Sequence, residues 1–380
     1  NGVSFGTTAN VVVENSEFNA TEAYGYGVRV DASGAYKAQI NKTKLTAGAP
    51  VIMRKATGAY EMNISADSEL TSTEVYQIIV ASNDYAAGET LAAPANNYTL
   101  NTNGVEYVVY PDAADLLVAS SVETLKAAIS AAKDGDTIYL MNGVYDGLFL
   151  VGAKNVTLKA VNAHQAKIAG RICVAGSQES VLTCEDIHFA VSENTLSLFG
   201  NQYYDKTKGY VIGNYSGSIT VKNCKFTGMT DDCGAIYYYS YDEGKATAEK
   251  LEKLIVENCQ FNGARAIRSR SNVSVTGSQF TGLENPCLQV LGLGNNDLPS
   301  TVVFTGNTSD VATSGVCIKT SNHATKNVTF NVAGNTNCNY IAFDSKNLAN
   351  LYPETYTYTG EVNTLTPEDA AALNKLFASN

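Results

Sequence analysis

The sequence contains no tryptophan, only three histidines and a charged fraction of just 17% over its 380 residues. The histidines are scattered and no CxxC pair occurs, which excludes a zinc site of the usual Cys/His spacing. No Ser/His/Asp or Cys/His set stands at a recognisable catalytic spacing. The small and polar residues that fill the chain are more typical of a β-rich extracellular protein than of a cytosolic α/β enzyme.

Positive charge and long apolar runs are also scarce. Lys and Arg number 26 against 37 Asp and Glu, a net charge of −11, which argues against nucleic acid as a partner. No apolar run approaches the roughly 18–20 residues of a membrane span. The chain begins at Asn1 without a signal peptide, and we interpret it as a mature or trimmed fragment.

The eight cysteines do not have the spacing of a disulfide framework. Cys224 and Cys259 occupy the same place in successive repeats, and Ser16 and Ser278 fill that place elsewhere. A position that accepts either Cys or Ser indicates a small inward site. We therefore predict buried free thiols rather than disulfides.

One short pattern recurs along the chain and organises it. Residues 218–228, 254–263 and 273–282 each contain an alternating strand, a polar corner, a small residue, Phe and Gly. Weaker copies lie at 181–189 and 11–18. Repetition of this kind indicates a solenoid with coils of roughly 20–25 residues, the remainder being loop.

Aligned on this pattern, like residues form three columns. The columns are Asp186, Asn223 and Asn258; then Ile187, Cys224, Cys259 and Ser278; then Phe189, Phe226, Phe261 and Phe280. Because a parallel β-helix stacks like side chains at about 4.8 Å, such columns favour an all-β, right-handed parallel β-helix (solenoid). An antiparallel β-sandwich is the alternative, but it does not need columns in constant register.

The repeats predict two units. Residues 1–118 resemble the closing coils of a first β-helix unit, and 119–380 resemble a complete second unit. A capping helix is expected at about 120–133, with Ser120 and Glu123 as its capping box. This helix would cover the open end of the stacked sheet. A C-terminal helix is expected at about 367–377.

The start of the second unit resembles a known superfamily. The segments concerned are 122–126, 133–140, 142–145 and 155–160. They are similar to the N-terminal cap and first coil of the pectin-lyase-like superfamily, closest to the chondroitinase B and alginate lyase group. The resemblance covers about 120–345 and, less clearly, 9–83. It implies a β-helix, secreted or displayed at a bacterial cell surface.

Outward positions on the strand after each Phe-x-Gly corner form a candidate binding column. Its members are Tyr237, Arg268, Gln289 and Lys319, with Tyr239 and Arg270 two residues further on and Arg29 and Arg54 in the comparable place of the first unit. Cations and aromatic rings at about 5 Å intervals suit an acidic polysaccharide. The alternative is that they are ordinary solvated side chains on an outer β-face.

The resemblance also implies eliminating chemistry, in which a Lys on one coil removes a proton and an Arg on the next stabilises the anion. Here Arg270 occupies the Lys position, Gln289 stands where the Arg is expected, and Lys319 comes one coil later. In the first unit Asp31 falls at the Lys position. Because arginine is a poor proton acceptor, these departures argue against a lyase. Candidate catalytic residues are Arg268, Arg270 and Lys319.

Asp231 and Asp232 are the candidate metal ligands. The resemblance implies calcium held by acidic residues, or a pair of Asp in a hydrolase, whereas a solvated loop turn explains the same residues. No motif requires a cofactor, so we expect none, with bound calcium as the alternative.

Three functions remain open. The first is a noncatalytic glycan-binding, adhesin or stalk module whose partner is a polysaccharide or a host or cell-surface glycan. The second is a polysaccharide lyase or hydrolase acting on a uronate-containing glycan. The third is a structural module that associates end to end with copies of itself.

Overall fold

The computed structural model describes residues 2–6, 10–31, 34–54, 58–94, 97–112, 116–152, 154–175, 180–192, 209–231, 233–238, 253–269, 272–290, 300–310, 316–320, 328–338, 340–342, 356–359 and 363–364. Contacts divide the chain into two compact units. Unit 1 comprises Asn1–Ser120, Tyr139–Asn142 and Ala160–Gln165, and unit 2 comprises Ser121–Ile138, Gly143–Lys159 and Ala166–Asn380. Each unit has three sheets, which we call sheets I, II and III because the chain passes through them in that order within each coil.

Unit 1 is built from short strands that pass in turn through its three sheets. Sheet I has the order β11-β8-β5-β2, sheet II β3-β6-β9 and sheet III β1-β4-β7-β10-β12. The strands are β1 (Val3–Phe5), β2 (Val11–Glu14), β3 (Glu17–Ala20), β4 (Tyr26–Asp31), β5 (Tyr36–Asn41), β6 (Lys44–Ala47), β7 (Ala49–Arg54), β8 (Tyr60–Ile64), β9 (Glu69–Ser72), β10 (Ile78–Ala81), β11 (Tyr98–Asn101), β12 (Val109–Tyr110) and β13 (Leu117–Ala119).

Unit 2 repeats the same path over more coils, after the helix α1 (Val122–Ala131). The strands of sheet I are β13, whose bounds are given above, then β14 (Thr137–Leu140), β17 (Val156–Ala160), β20 (Val181–Glu185), β23 (Ser218–Lys222), β26 (Lys253–Glu257), β29 (Asn272–Thr276), β32 (Ser300–Thr305), β35 (Val328–Ala333) and β37 (Tyr356–Thr359). The strands of sheet II are β15 (Gly143–Tyr145), β18 (Ala166–Ile168), β21 (His188–Ala190), β24 (Lys225–Met229), β27 (Gln260–Gly263), β30 (Gln279–Thr281) and β33 (Thr308–Ser309). The strands of sheet III are β16 (Leu148–Val151), β19 (Arg171–Ala175), β22 (Gly209–Ser216), β25 (Cys233–Tyr238), β28 (Ile267–Ser269), β31 (Leu288–Val290), β34 (Val316–Thr320), β36 (Tyr340–Ala342) and β38 (Asn363–Thr364).

Along most of the chain every third strand is a hydrogen-bonded neighbour in its sheet, and the paired strands run parallel. A chain that returns to the same sheet in parallel after each circuit is a coil, and parallel crossovers are right-handed in nearly all proteins. The architecture is therefore the right-handed parallel β-helix expected from the repeats and from the resemblance. Alternating strands such as β23, β26 and β29 direct every second side chain into the core of unit 2.

The polar column at the first corner is explained by backbone geometry. Asp186, Asn223 and Asn258 have φ values of 61°, 47° and 53°, in the left-handed region. Gly277 and Gly306 continue the column with φ values of 60° and 66°. Asp, Asn and Gly tolerate this conformation at the lowest cost, so the repeated residue types follow from the repeated turn.

The apolar columns lie inside unit 2, as predicted. Phe189, Phe226, Phe261 and Phe280 stack with ring centroids 5.0, 4.7 and 4.9 Å apart. The column of Ile187, Cys224, Cys259 and Ser278 is buried as well. The seven cysteines whose side chains the structure describes are buried and free, which confirms the expected thiols at those positions. Burial raises the pKa of Cys184 and of Cys224, so both are held as thiols rather than reactive thiolates.

The helix α1 begins one residue later than the capping box predicted from the sequence. Its N-cap is Ser121, whose hydroxyl accepts a hydrogen bond from the Thr124 N–H, while the Thr124 hydroxyl accepts one from the Ser121 N–H. Ser120 and Glu123 therefore do not form the box. Leu125 and Ile129 face the core, because they share one face of the helix. The helix expected at 367–377 lies outside the described residues, among which no helix is long and apolar enough to cross a membrane.

Candidate functional site

The outward column predicted on sheet III of unit 2 exists as one register. Tyr237 lies beside Arg268, Arg268 beside Gln289, and Gln289 beside Lys319, on four successive strands. Each of these side chains is partly exposed, while its neighbours along the strand are buried where the structure describes them. The alternation of the β-strand thus presents one side chain per coil, at intervals of about 4.8 Å. We call these four residues the sheet III column.

Arg268 is the centre of the sheet III column. Its guanidinium carbon lies 5.7 Å from the centroid of the Tyr237 ring, within the range of a cation–π contact. Its Nε is shielded from solvent and has no hydrogen-bond partner among the described residues. The planar guanidinium is therefore held against an aromatic ring on a partly exposed side chain, an arrangement suited to a carboxylate.

The outward register continues toward the N-terminal coils with smaller or apolar side chains. Gly213 lies beside Tyr237, Cys173 beside Gly213, and Leu150 beside Cys173. Leu150 is 59% exposed. The polar column therefore begins at Tyr237 and has a defined start along the sheet.

Two predicted members of the site, Tyr239 and Arg270, lie outside the described residues. Of the candidate catalytic residues, Arg268 and Lys319 stand in one register, separated by Gln289. Two inter-strand steps correspond to about 10 Å between backbones.

The two arginines predicted to mark the same place in unit 1 do not share a column. On sheet III of unit 1, Arg29 lies beside Ile52, whereas Arg54 lies beside Asp31. Arg54 is moreover only 2% exposed. The reason is the register between the two strands: Val28 stacks on Val51, which offsets the two arginines by two positions.

Arg29 and Arg54 are instead part of an ion-pair network. Asp31 lies 2.9 Å from an Arg29 guanidinium nitrogen and 3.0 Å from an Arg54 guanidinium nitrogen. Asp84 contacts both arginines, at 3.3 Å from Arg29. A buried guanidinium is stable only with such partners. These two arginines therefore serve unit 1 internally and do not form a binding row for a polyanion.

The same face of unit 1 is covered by apolar and aromatic side chains. Ile52, Ile79 and Tyr110 form a buried cluster outside the main core, and Tyr85 and Leu91 from the following loop pack against it. This cover explains why Arg54 is buried although it points away from the core. The alternating pattern of the sheet III strands does not predict this cover, because Tyr85 and Leu91 lie in an irregular segment.

A tyrosine cluster that sequence reasoning missed lies on unit 1. The rings of Tyr24 and Tyr85 meet edge to face, with centroids 5.2 Å apart. Glu74 accepts a hydrogen bond from the Tyr24 N–H at 3.0 Å and another from the Tyr85 hydroxyl. Burial raises the pKa of Tyr85, and the Glu74 carboxylate adds to the effect, so this hydroxyl stays protonated and donates. The only sign of this cluster in the sequence is the large number of tyrosines, 23 in all. That number does not predict which tyrosine rings are in contact.

Asp231 is paired inside unit 2 rather than open to a metal. One carboxylate oxygen contacts a guanidinium nitrogen of Arg265 and accepts a hydrogen bond from the Asn285 amide at 3.0 Å. Its companion Asp232 lies outside the described residues. In the described part of the chain, no three His, Cys, Asp or Glu side chains come close enough to hold a metal ion. The expectation that no cofactor is bound, with calcium as the alternative, therefore stays a prediction.

The described residues of the sheet III column offer two basic side chains and little that can abstract a proton. A guanidinium such as that of Arg268 is a poor base, and the Gln289 side chain is an amide, which is no better. Elimination from a uronate needs a base and a charge-stabilising group at the same sugar. Lys319 is separated from Arg268 by a full strand, so these two do not meet that requirement.

Comparison with known proteins adds little beyond the fold. No family model and no curated protein sequence matches this chain. Among solved structures it is similar to a PL6 family alginate lyase, AlyGC, with 12% sequence identity and a TM-score of 0.41, over 95% of this chain and 70% of that chain. A likeness at this level carries no argument about activity. The assignment of the fold rests on the parallel sheets themselves.

Proposed function

We propose that this protein is a secreted or cell-surface β-helix that binds an acidic, uronate-containing polysaccharide without cleaving it, and that the sheet III column is the binding face. The observation that carries the proposal is the register of Tyr237, Arg268, Gln289 and Lys319 on four neighbouring strands. A rigid row of this kind can contact successive sugars of an extended chain.

Each residue of the column has a separate role. Arg268 binds a sugar carboxylate through its planar fork, and its contact with the Tyr237 ring limits its rotamers before binding. Tyr237 also offers its ring to the apolar face of a pyranose. Gln289 supplies an amide to hydroxyl groups, and Lys319 adds a second positive charge.

Electrostatics make this face selective. The chain as a whole carries a net charge of −11, so a polyanion is repelled by most of the surface and is attracted where Arg268 and Lys319 stand. Binding should therefore weaken as salt is added, because exposed charges are screened within about 10 Å at 0.1 M ionic strength.

The first test is a binding assay of the purified protein against alginate, polygalacturonate, hyaluronan and chondroitin sulfate by affinity electrophoresis and calorimetry. We expect at least one polysaccharide to bind, and Arg268→Ala to weaken its affinity roughly tenfold or more, since a charge-assisted hydrogen bond contributes about 1.5–3 kcal/mol. The matched control is Lys253→Ala, which removes an exposed cation from sheet I of the same unit and should leave affinity unchanged.

The same samples are read for absorbance of the unsaturated sugar that a lyase creates, with and without calcium. This measurement distinguishes binding from the second candidate function, a lyase using Arg268, Arg270 or Lys319. The observation that favours a lyase is the placement of the Tyr237 phenol beside the Arg268 guanidinium. A rise in absorbance would replace the binding role with a catalytic one. Failure to bind any of the four polysaccharides would refute both.

A further inference from the structure

Tyr24 is an exposed aromatic residue held in an unfavourable backbone conformation. Its φ is 60°, in the left-handed region, and its side chain is 38% exposed. A bulky residue rarely adopts this region unless its surroundings impose it, and such strain concentrates at functional sites. Asn or Gly would suit the turn better, so the ring itself needs an explanation.

Glu74 holds Tyr24 in this conformation. One oxygen of its carboxylate accepts a hydrogen bond from the Tyr24 N–H at 3.0 Å, and the other accepts one from the Tyr85 hydroxyl. The Glu74 N–H in turn donates to the Ser72 hydroxyl at 3.1 Å. The carboxylate therefore fixes a backbone on one side and an aromatic side chain on the other.

The second ring is also held in place. Two residues before Tyr85, the Asn83 side-chain nitrogen donates to the Thr90 carbonyl at 2.8 Å, and its side-chain oxygen accepts from the Ala92 N–H at 2.8 Å. These two bonds close the loop that carries Tyr85. With its ring 5.2 Å from that of Tyr24, the pair forms a preformed aromatic surface that loses little entropy when a ligand binds.

The charges around this surface select against an acidic ligand. Arg29 and Arg54 are balanced by Asp31 and Asp84, which leaves the Glu74 carboxylate as the uncompensated charge among these five. Asp84, directly before Tyr85, is 55% exposed. Carboxylate oxygens beside exposed rings accept hydrogen bonds from hydroxyl groups and repel anions.

We propose that Tyr24, Tyr85 and Asp84 form a second carbohydrate-binding surface, on unit 1, which takes a neutral hexose-based glycan. The apolar C–H face of a pyranose stacks on Tyr24, and its hydroxyl groups donate to the carboxylate of Asp84. Glu74 is a positioning residue, since both of its oxygens are already engaged with the two tyrosines. This site differs in ligand charge from the sheet III column.

The test titrates the full chain with cellohexaose, mannohexaose, laminarihexaose and maltohexaose by calorimetry and saturation-transfer NMR. At least one of them should bind, with an affinity that changes little between low and high salt, because no ion pair with the ligand is involved. Tyr24→Asn should weaken that binding roughly tenfold or more. Asn removes the ring but tolerates left-handed backbone, so the variant keeps its fold and its melting temperature.

Tyr24→Phe is the matched control, because it keeps the ring and should bind within about threefold of the wild type. Arg268→Ala should leave neutral-glycan binding intact, which separates this proposal from the function of the sheet III column. No binding of any of the four hexaoses, or equal binding by Tyr24→Asn and the wild type, would overturn the proposal. Loss of acidic-polysaccharide binding alone would not affect it.

Discussion

Asn162 shows at the scale of one residue how a buried polar group holds unit 1 together. Its side chain is 4% exposed. Its amide oxygen accepts from the Ser72 N–H at 2.9 Å, and its amide nitrogen donates to the Ser72 carbonyl at 2.6 Å. Gln77 donates to the same oxygen at 3.3 Å. The Asn162 side chain thus satisfies the backbone hydrogen-bonding groups at the end of a strand, as a neighbouring strand would.

Asn162→Ala should therefore be strongly destabilising. It leaves the Ser72 N–H and carbonyl buried without partners, at about 1–3 kcal/mol for each unsatisfied group, so we expect a loss of roughly 2–4 kcal/mol in the unfolding free energy of unit 1. Urea unfolding followed by circular dichroism measures it. Asn142→Ala is the control, since Asn142 is exposed and accepts a bond from the Asn162 amide at 2.8 Å. A similar shift in both variants would contradict this role.

Three arginines show how far the position of a single side chain can be predicted from the sequence. The strand alternation predicted that Arg268 points outward, and the register confirms it. The same reasoning put Arg29 and Arg54 in the comparable place of unit 1, whereas the paired strands β4 and β7 offset the two arginines by two positions. Their alignment is set by the stacking of Val28 on Val51, and a shift of two positions is invisible in an alternating pattern.

At the scale of the element, a stack of buried phenylalanine rings runs through the core of unit 2. Phe261 is 1% exposed and lies between Phe226 and Phe280, with ring planes inclined by only 4° and 5° to its neighbours. Each ring fills the space between the coils above and below. Its burial is repeated on successive strands because the sheet repeats in register.

Phe261→Ala should open a cavity in the middle of this stack. We expect the unfolding free energy of unit 2 to fall by about 3–5 kcal/mol, the usual cost of removing a buried ring. Phe261→Leu keeps most of the volume and should cost less than about 2 kcal/mol. Thermal and urea unfolding distinguish the two. Equal effects of Ala and Leu would mean that the ring stack adds nothing beyond its burial.

Strands, turns and the helix could be predicted where the residues that specify them lie close together in the sequence. The corner column could be found because Asp or Asn recurs at one position, and the φ angles of 61°, 47° and 53° at Asp186, Asn223 and Asn258 supply the reason, a left-handed backbone. The helix α1 was found from its apolar face, whereas its cap was misplaced by one residue. Ser120 and Ser121 are adjacent hydroxyls, and the choice between them depends on where the preceding backbone turns into the helix.

At the scale of the whole molecule, net charge and buried tyrosines together set the response to alkaline pH. Unit 1 contains a row of Tyr36, Tyr60 and Tyr98, with ring centroids 5.4 and 6.2 Å apart. Burial, then the neighbouring Tyr60 and Asp31, raise the pKa of Tyr36 well above its usual value. Burial and Asp112 raise the pKa of Tyr98 to about 12. A molecule already at −11 resists further negative charge.

The stability of unit 1 should therefore fall as the pH rises above about 10. A tyrosine with a raised pKa in the folded state contributes stability that is fully present below the unfolded value of about 10 and is lost as the pH rises toward the folded value. Urea midpoints measured from pH about 9 to about 11.5 test this. Tyr36→Phe is the matched variant, because its buried hydroxyl has no hydrogen-bond partner among the described residues. It should lose less stability with pH, and an unchanged slope would contradict the assignment.

The sequence by itself determined the parallel β-helix, the inward columns of Phe and Cys, the turn residues and the outward row from Tyr237 to Lys319. These follow from alternation and from the backbone conformation of a repeated corner, both of which act over a few residues and recur in each coil. Only the tertiary structure decided that Arg54 is buried, that Glu74 joins Tyr24 to Tyr85, and that Asn162 completes the strand at Ser72. Those contacts join segments up to 90 residues apart, and no local pattern specifies which segment covers which face of a coil.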